Sequence, residues 1–362
     1  MKKLILSSFF VYQIVCHAGL LRPGYQFSRP TGMGNAFLAL ADDANALFYN
    51  PAALARVKGV RVHLVDAQLA VDKTETLTRL KQALFDKNTD GLIESDRQSL
   101  GLSVKPTLIT PYFGLAIFDQ AFGSFDLQNL QGDRVDVFGF NDLGIAVGFG
   151  IPFSDYFSFG FGIRAVQRSS IDIDKPTSQL ISELGLDALT INSNPWNALK
   201  NYLGVGYAFP IQLGVLFRLP QVTKQSPIIR LAATVEDLGN TRFTRVSGAS
   251  APSTILASYN FGASLQYGLA KDTVLNITSD LRNQFRSLPL FKTFHLGTEL
   301  RHKIAAIRGG IHQGYPTFGA SLEFPPQTRI HFSTFSMELG DNLWQKEQRW
   351  YQIQLVIGFN PL

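Results

Sequence analysis

"LGIAVGFGI", residues 143–151, alternates without a break. Leu143, Ile145, Val147, Phe149 and Ile151 share one parity, and Gly144, Ala146, Gly148 and Gly150 share the other. Strict period-two alternation is the signature of a β-strand. One face of this strand is bulky and apolar, while the other carries almost no side chain. "FSFGFGIR", 157–164, repeats the pattern, with Phe157, Phe159, Phe161 and Ile163 opposite Ser158, Gly160, Gly162 and Arg164. "IQLGVLFRL", 211–219, sets Gln212 and Arg218 against an apolar face, and "FHLGTELR", 294–301, sets His295, Gly297, Glu299 and Arg301 against Phe294, Leu296 and Leu300.

Working outward, candidate strands run from 59–71 to 348–359. They include 100–109, 112–119, 122–130, 134–151, 155–167, 202–219, 228–238 and 290–301. Some of these merge, which leaves about 14 strands, within the range of even-stranded bacterial barrels. The last strand, "WYQIQLVIGF", 350–359, places Tyr351, Ile353, Leu355, Ile357 and Phe359 on one face. Such a strand, with its near-terminal aromatic, looks like the closing strand of bacterial outer-membrane barrels. Tyr156, Tyr202, Tyr207, Tyr267, Tyr315, Trp350 and Tyr351 recur near strand ends, as an interfacial aromatic girdle requires.

Composition favours the same class. Aromatic residues are 12% of the chain and charged residues 17%, with 31 Gly and 29 Phe. Lys2 and Lys3 precede an apolar run from Leu4 to Val15, and small Ala18 and Gly19 follow. This is the layout of a secretory signal peptide over 1–18, cleaved after Ala18. The single cysteine, Cys16, falls inside it, and Val15 is large for the residue preceding a lipidated cysteine. The exported chain is then expected to hold no disulfide and no thiolate metal site. The formal charge of +5 is small and scattered, which argues against nucleic acid as a partner. Without a spanning apolar helix, lipid can be crossed only by a closed barrel, in which every backbone polar group is paired.

Glu299, Arg301, Arg308, Glu323 and Arg164 sit at mid-strand on the polar parity and are read as lumen-facing. Residues 41–54, "ADDANALFYNPAAL", read as two short capped turns. Asp42 or Asp43 can cap the first, and Asn50 can cap the second, with Pro51 at its first position. "DKNTDGLIESDR", 86–97, has the outline of a calcium loop through Asp86, Asn88, Asp90 and Gly91. Its twelfth position, however, is Arg97 where a bidentate glutamate is needed, so a polar turn is expected and no metal site. The glycine pairs lie within strands and are not nucleotide fingerprints. The histidines lack ligand spacing, and no Ser/His/Asp set can be singled out. No enzyme activity and no cofactor are expected. Two long connections, 73–97 and 169–200, contain helical patterns and are too long to be simple turns.

"RPTGMGNAFLALADDANALFYNPAALA", 29–55, resembles the N-terminal hatch of the FadL-type outer-membrane transporters. The matching residues are Gly32 and Gly34, then Asp42 and Asp43, then Asn50 and Pro51. "VEDLGNTRF", 235–243, and "RGGIHQGYPTFGASLEF", 308–324, look like the PorV/TraF-like branch of that superfamily. The resemblance implies a fourteen-stranded barrel over 58–362 and a hatch over 19–57 lying in the lumen, held by lumen-facing arginines. It also implies residence in the outer membrane among its lipids. The implied function is transport of small hydrophobic molecules such as long-chain fatty acids. The alternative is a non-transporting scaffold that holds secreted proteins.

Overall fold

The computed structural model describes residues 26–73, 98–126, 134–176, 179, 202–223, 225–248, 250–325 and 327–360. The expected signal peptide, Asp86, Asn88 and Asp90, and most of the two long connections lie outside the described residues.

The wall is a closed antiparallel barrel of 14 strands. They are β1 (Arg61–Val71), β2 (Gln98–Val104 and Thr107–Thr110), β3 (Phe113–Asp126), β4 (Arg134–Pro152) and β5 (Phe157–Pro176). β6 (Gly204–Ala208 and Ile211–Arg218), β7 (Ile228–Glu236 and Thr244–Gly248), β8 (Ser258–Ala270) and β9 (Thr273–Gln284) follow. β10 (Phe294–His302), β11 (Ala305–His312), β12 (Tyr315–Phe324), β13 (Thr328–Glu338) and β14 (Glu347–Phe359) complete the wall. β14 pairs with β1 from Val62↔Phe359 to Val71↔Tyr351, which closes the ring. A closed sheet has no free edge, so no backbone donor is left facing lipid.

Alternation sets the two faces as the sequence leads one to expect. Leu143, Ile145, Phe149 and Ile151 are exposed on the outer face, as are Ile353, Leu355, Ile357 and Phe359. An outer surface this apolar suits hydrocarbon and not water. The opposite parity, with Ala146, Gly148, Gln212 and Glu299, is buried.

Several details differ from the sequence reading. β3 runs unbroken where two strands, 112–119 and 122–130, were expected. β5 extends to Pro176, into the stretch assigned to a connection. Thr244–Gly248 adds a strand segment that pairs with Gly204–Ala208. β2 is interrupted at Lys105–Pro106 and β6 at Phe209–Pro210, where proline offers no N–H to the ladder. Residues 290–293 form a helical turn ahead of β10 and are not part of the strand. Trp350 and Tyr315 do not join an outer girdle: both are buried, and the Tyr315 hydroxyl donates to Glu338 Oε2 at 2.6 Å. Tyr156, Tyr207, Tyr267 and Tyr351 do lie on the exposed side.

The two longest connections, after β1 and β5, join strand ends at one end of the barrel. Short turns such as 111–112, 271–272 and 303–304 are at the other. The chain enters β1 and leaves β14 at the short-turn end.

Candidate functional site

The N-terminal segment, from Gln26 to Val57, is folded as a helical turn α1 (Ser28–Gly32), a second turn α2 (Ala46–Tyr49) and a 3-10 turn (Pro51–Arg56). Nearly all of it is buried. Its partners are inward-facing residues of β4–β6 on one side and β9–β14 on the other, so the segment lies across the lumen.

Arg29, at the second position of α1, is the hub. Its Nε and Nη2 donate to the two carboxylate oxygens of Glu299 at 2.9 and 2.8 Å. Its Nη1 donates to Asp42 Oδ1 at 2.5 Å and to Asp43 Oδ2 at 2.8 Å. Glu299, fully buried on β10, also accepts from Arg308 Nε at 2.7 Å, Asn276 Nδ2 at 3.0 Å and Arg301 Nη2 at 3.2 Å. Three carboxylates and three guanidiniums therefore meet in one network, buried at Arg29, Glu299 and Arg308 and partly exposed at Asp42 and Arg301. Such a network holds only if nearly every member is satisfied, because an unpaired buried charge is costly. Burial opposes the charge on Arg29, but Asp42, Glu299 and Asp43 outweigh it and keep the group cationic. Burial also opposes the ionised Asp43 carboxyl, but the Arg29 guanidinium beside it holds it well below the usual carboxylate range.

Of the five charged residues read as lumen-facing, Glu299, Arg301 and Arg308 come together here. Arg164 instead pairs with Asp237 at 3.3 Å. Glu323 pairs with Arg329 at 2.9 Å near the start of β13, half exposed. Sequence reasoning passed over Arg29 itself. The available signal was the aspartate pair in an apolar segment, where Arg29 is the only Lys or Arg between 23 and 55.

Turn chemistry shapes the rest. Asp43 Oδ1 accepts from the Asn45 N–H at 2.8 Å ahead of α2, whereas Asp42 caps nothing. Asn50 Oδ1 accepts from the Ala52 N–H at 3.1 Å, and its Nδ2 donates to Leu38 O at 3.1 Å and to Val215 O. Gly34, at φ +63°, makes the tight turn, and its carbonyl lies 2.8 Å from His295 Nδ1. Gly32 packs its Cα onto Gly319. Lys105, at the break in β2, donates to Asn45 Oδ1 at 2.8 Å with its ammonium over the Phe27 ring.

Toward the long-loop end the lumen becomes aromatic. Ala70, Phe122, Phe138, Phe140, Phe335, Met337 and Trp350 form a buried cluster. Phe122 stacks on Phe140 at 5.8 Å and lies 5.7 Å from Trp350. A void of about 30 Å³ opens between these rings and the start of the segment, lined by Gln26, Gln68, Phe122, Phe335, Trp350 and Gln352 among others. That volume suits one water molecule.

No protein-family model matches the chain, and no curated protein matches it. Solved structures do match it in fold. The monoaromatic hydrocarbon channel TodX, in a deltaS2 mutant, aligns with a TM-score of 0.55 at 14% identity, over 93% of this chain and 99% of that one. The monoaromatic hydrocarbon channel CymD aligns with a TM-score of 0.53 at 13% identity, over 92% and 97% of the two chains. A structure of the toluene transporter TodX from Pseudomonas putida gives a TM-score of 0.47 at 13% identity, over 91% and 96%. The first two carry the likeness, and what this chain shares with them is its architecture: a closed antiparallel barrel.

Proposed function

We propose that this protein is an outer-membrane channel for small hydrophobic molecules and that residues 26–57 are its plug. The observation that carries this reading is the aromatic cluster inside the lumen, next to the start of the segment. Small-molecule sites are concave and mostly apolar, with a few polar groups that fix orientation. Phe122, Phe140, Phe335 and Trp350 supply the apolar wall, and Gln26, Gln68 and Gln352 supply the polar groups. TodX and CymD, whose barrel architecture this chain shares, are monoaromatic hydrocarbon channels. The void is smaller than an aromatic ring, so passage requires the segment or these side chains to move. The test is uptake of an uncharged aromatic probe by cells or proteoliposomes with and without the barrel. Faster uptake is expected, and equal uptake would overturn the proposal.

A second reading, a non-transporting scaffold for secreted proteins, draws on the same filled lumen. Segment 26–57 fits the barrel closely enough to serve as a permanent core. Purification from the native membrane separates the two readings. A stoichiometric secreted protein, with no gain in probe uptake, favours the scaffold.

A further inference from the structure

Most inward-facing arginines of this barrel have a carboxylate partner close by. Arg164, Arg168, Arg282 and Arg308 each have one within 3.3 Å. Arg56, Arg218 and Arg230, at the short-turn mouth, have none within ion-pair range among the described residues. We propose that these three form an oxyanion site that takes a carboxylate or phosphate group at this mouth of the lumen.

The placement follows from the register. Arg218 ends β6 and Arg230 is the third residue of β7, and the two are direct cross-strand partners. Both share the parity of Leu216 and Ala232, which are buried inside the barrel. Like charges directly opposite one another destabilise a sheet. Arg56 closes the 3-10 turn at the foot of the N-terminal segment, and its Nη2 donates to Ser154 O at 3.2 Å in the turn between β4 and β5. Arg218 meets the same turn, its backbone N–H donating to Tyr156 O at 2.7 Å. Asp42, the acid whose field reaches Arg230, is already committed to Arg29.

The hydrogen bonds these arginines do make are to neutral acceptors. Arg218 Nη2 donates to Gln221 Oε1 at 2.6 Å, and Arg230 Nη2 donates to Gln266 Oε1 at 2.9 Å. Arg56 Nε and Arg230 Nη1 are buried with no acceptor at all. A buried charged donor left unsatisfied is expensive and calls for a partner. Guanidinium forks match oxyanions bidentately, and a group of three would also relieve the repulsion between Arg218 and Arg230. The site does not depend on what crosses the barrel.

The test uses the full chain in detergent. Inorganic phosphate and hexanoate are titrated separately by calorimetry at constant ionic strength, with chloride as the reference. Saturable binding of at least one of them is expected. Phosphate alone would identify a phosphate site, and hexanoate alone a carboxylate site. Arg230→Gln and Arg56→Gln should each weaken binding about tenfold or more, the size of one lost charge-assisted bond. Arg56 lies outside the wall, so Arg56→Gln reports even if Arg230→Gln does not assemble. No saturable binding beyond chloride, or unchanged binding in both variants, would overturn the proposal. Uptake of an uncharged probe is a separate readout and stands or falls independently.

Discussion

Between Phe27 and Asp43 the N-terminal segment is tied to the wall by charge in addition to close packing on glycines such as Gly297 and Gly310, whereas between Ala44 and Arg56 close packing and neutral hydrogen bonds seat it with no ion pair among the described residues. The first part meets β9–β14 through Arg29, Glu299 and Arg308, with Asp280 Oδ2 accepting from the Phe37 and Leu38 N–H groups at 2.7 and 3.1 Å. The second part meets β4–β6 through glycines that admit its backbone. A Cβ on Gly160 would lie 1.9 Å from Ala52 N, and one on Gly214 would lie 2.2 Å from Asn50 Oδ1. The two modes fail differently. An ion network responds to pH and to the loss of a single partner. A backbone-on-backbone contact ignores both but tolerates no added atom.

The largest effect is expected from Gly160→Val. The clash is with backbone atoms that cannot rotate away, so the 44–56 part should leave the wall while the barrel still closes. Hydrogen exchange over 41–54 should rise to the level of an open loop, with heat-modifiable gel migration retained. Protection equal to wild type would show that shape does not seat this half.

Glu299→Gln comes next. It strips Arg29 and Arg308 of their shared carboxylate, and breaking a buried pair costs about 3–5 kcal/mol. Exchange over 27–43 should rise more than over 44–56. A uniform rise would mean that the two halves dock as one unit.

Acid should act on the charged half alone. The Asp43 carboxyl is depressed below its unfolded value, so its contribution is fully present above about pH 4 and is lost as pH falls through the folded value. The loss is on the order of 2 kcal/mol. Segment 27–43 should loosen below pH 4 in wild type, and Asp43→Asn should be looser at neutral pH and less sensitive to acid. An acid response of equal size in Asp43→Asn would remove Asp43 from the account.

The smallest effect belongs to Asn50→Ala, which deletes a cap worth about 1 kcal/mol. It should raise exchange near 51–54 and, because Asn50 Nδ2 also donates to Leu38 O, near 38, while leaving the Arg29 end unchanged. Unchanged exchange at both places would show that the cap adds nothing to the close fit around Pro51.

The wall was legible because side-chain parity repeats along every long strand, and parity needs no tertiary information. The same rule would have corrected the aromatic girdle. Trp350 and Tyr351 are neighbours on one strand and cannot both face out, and Trp350 takes the inward side. The breaks at Pro106 and Pro210 were marked by the prolines but were read through. The charged network was only half visible. Glu299, Arg301 and Arg308 could be assigned a face, but their meeting with Arg29 spans 270 residues from Arg29 to Glu299, and no local pattern encodes that. The aromatic cluster was hidden for the same reason, since β1, β3, β4, β13 and β14 each contribute to it.

The seam between β1 and β14 joins the first and last strands of the wall, and the N-terminal segment runs straight into β1 from inside. The segment is therefore a tethered guest. It is leashed covalently to the rim at Arg61, so its docking in the lumen is an intramolecular event whose effective concentration is set by a few residues of chain and not by how much protein the membrane holds.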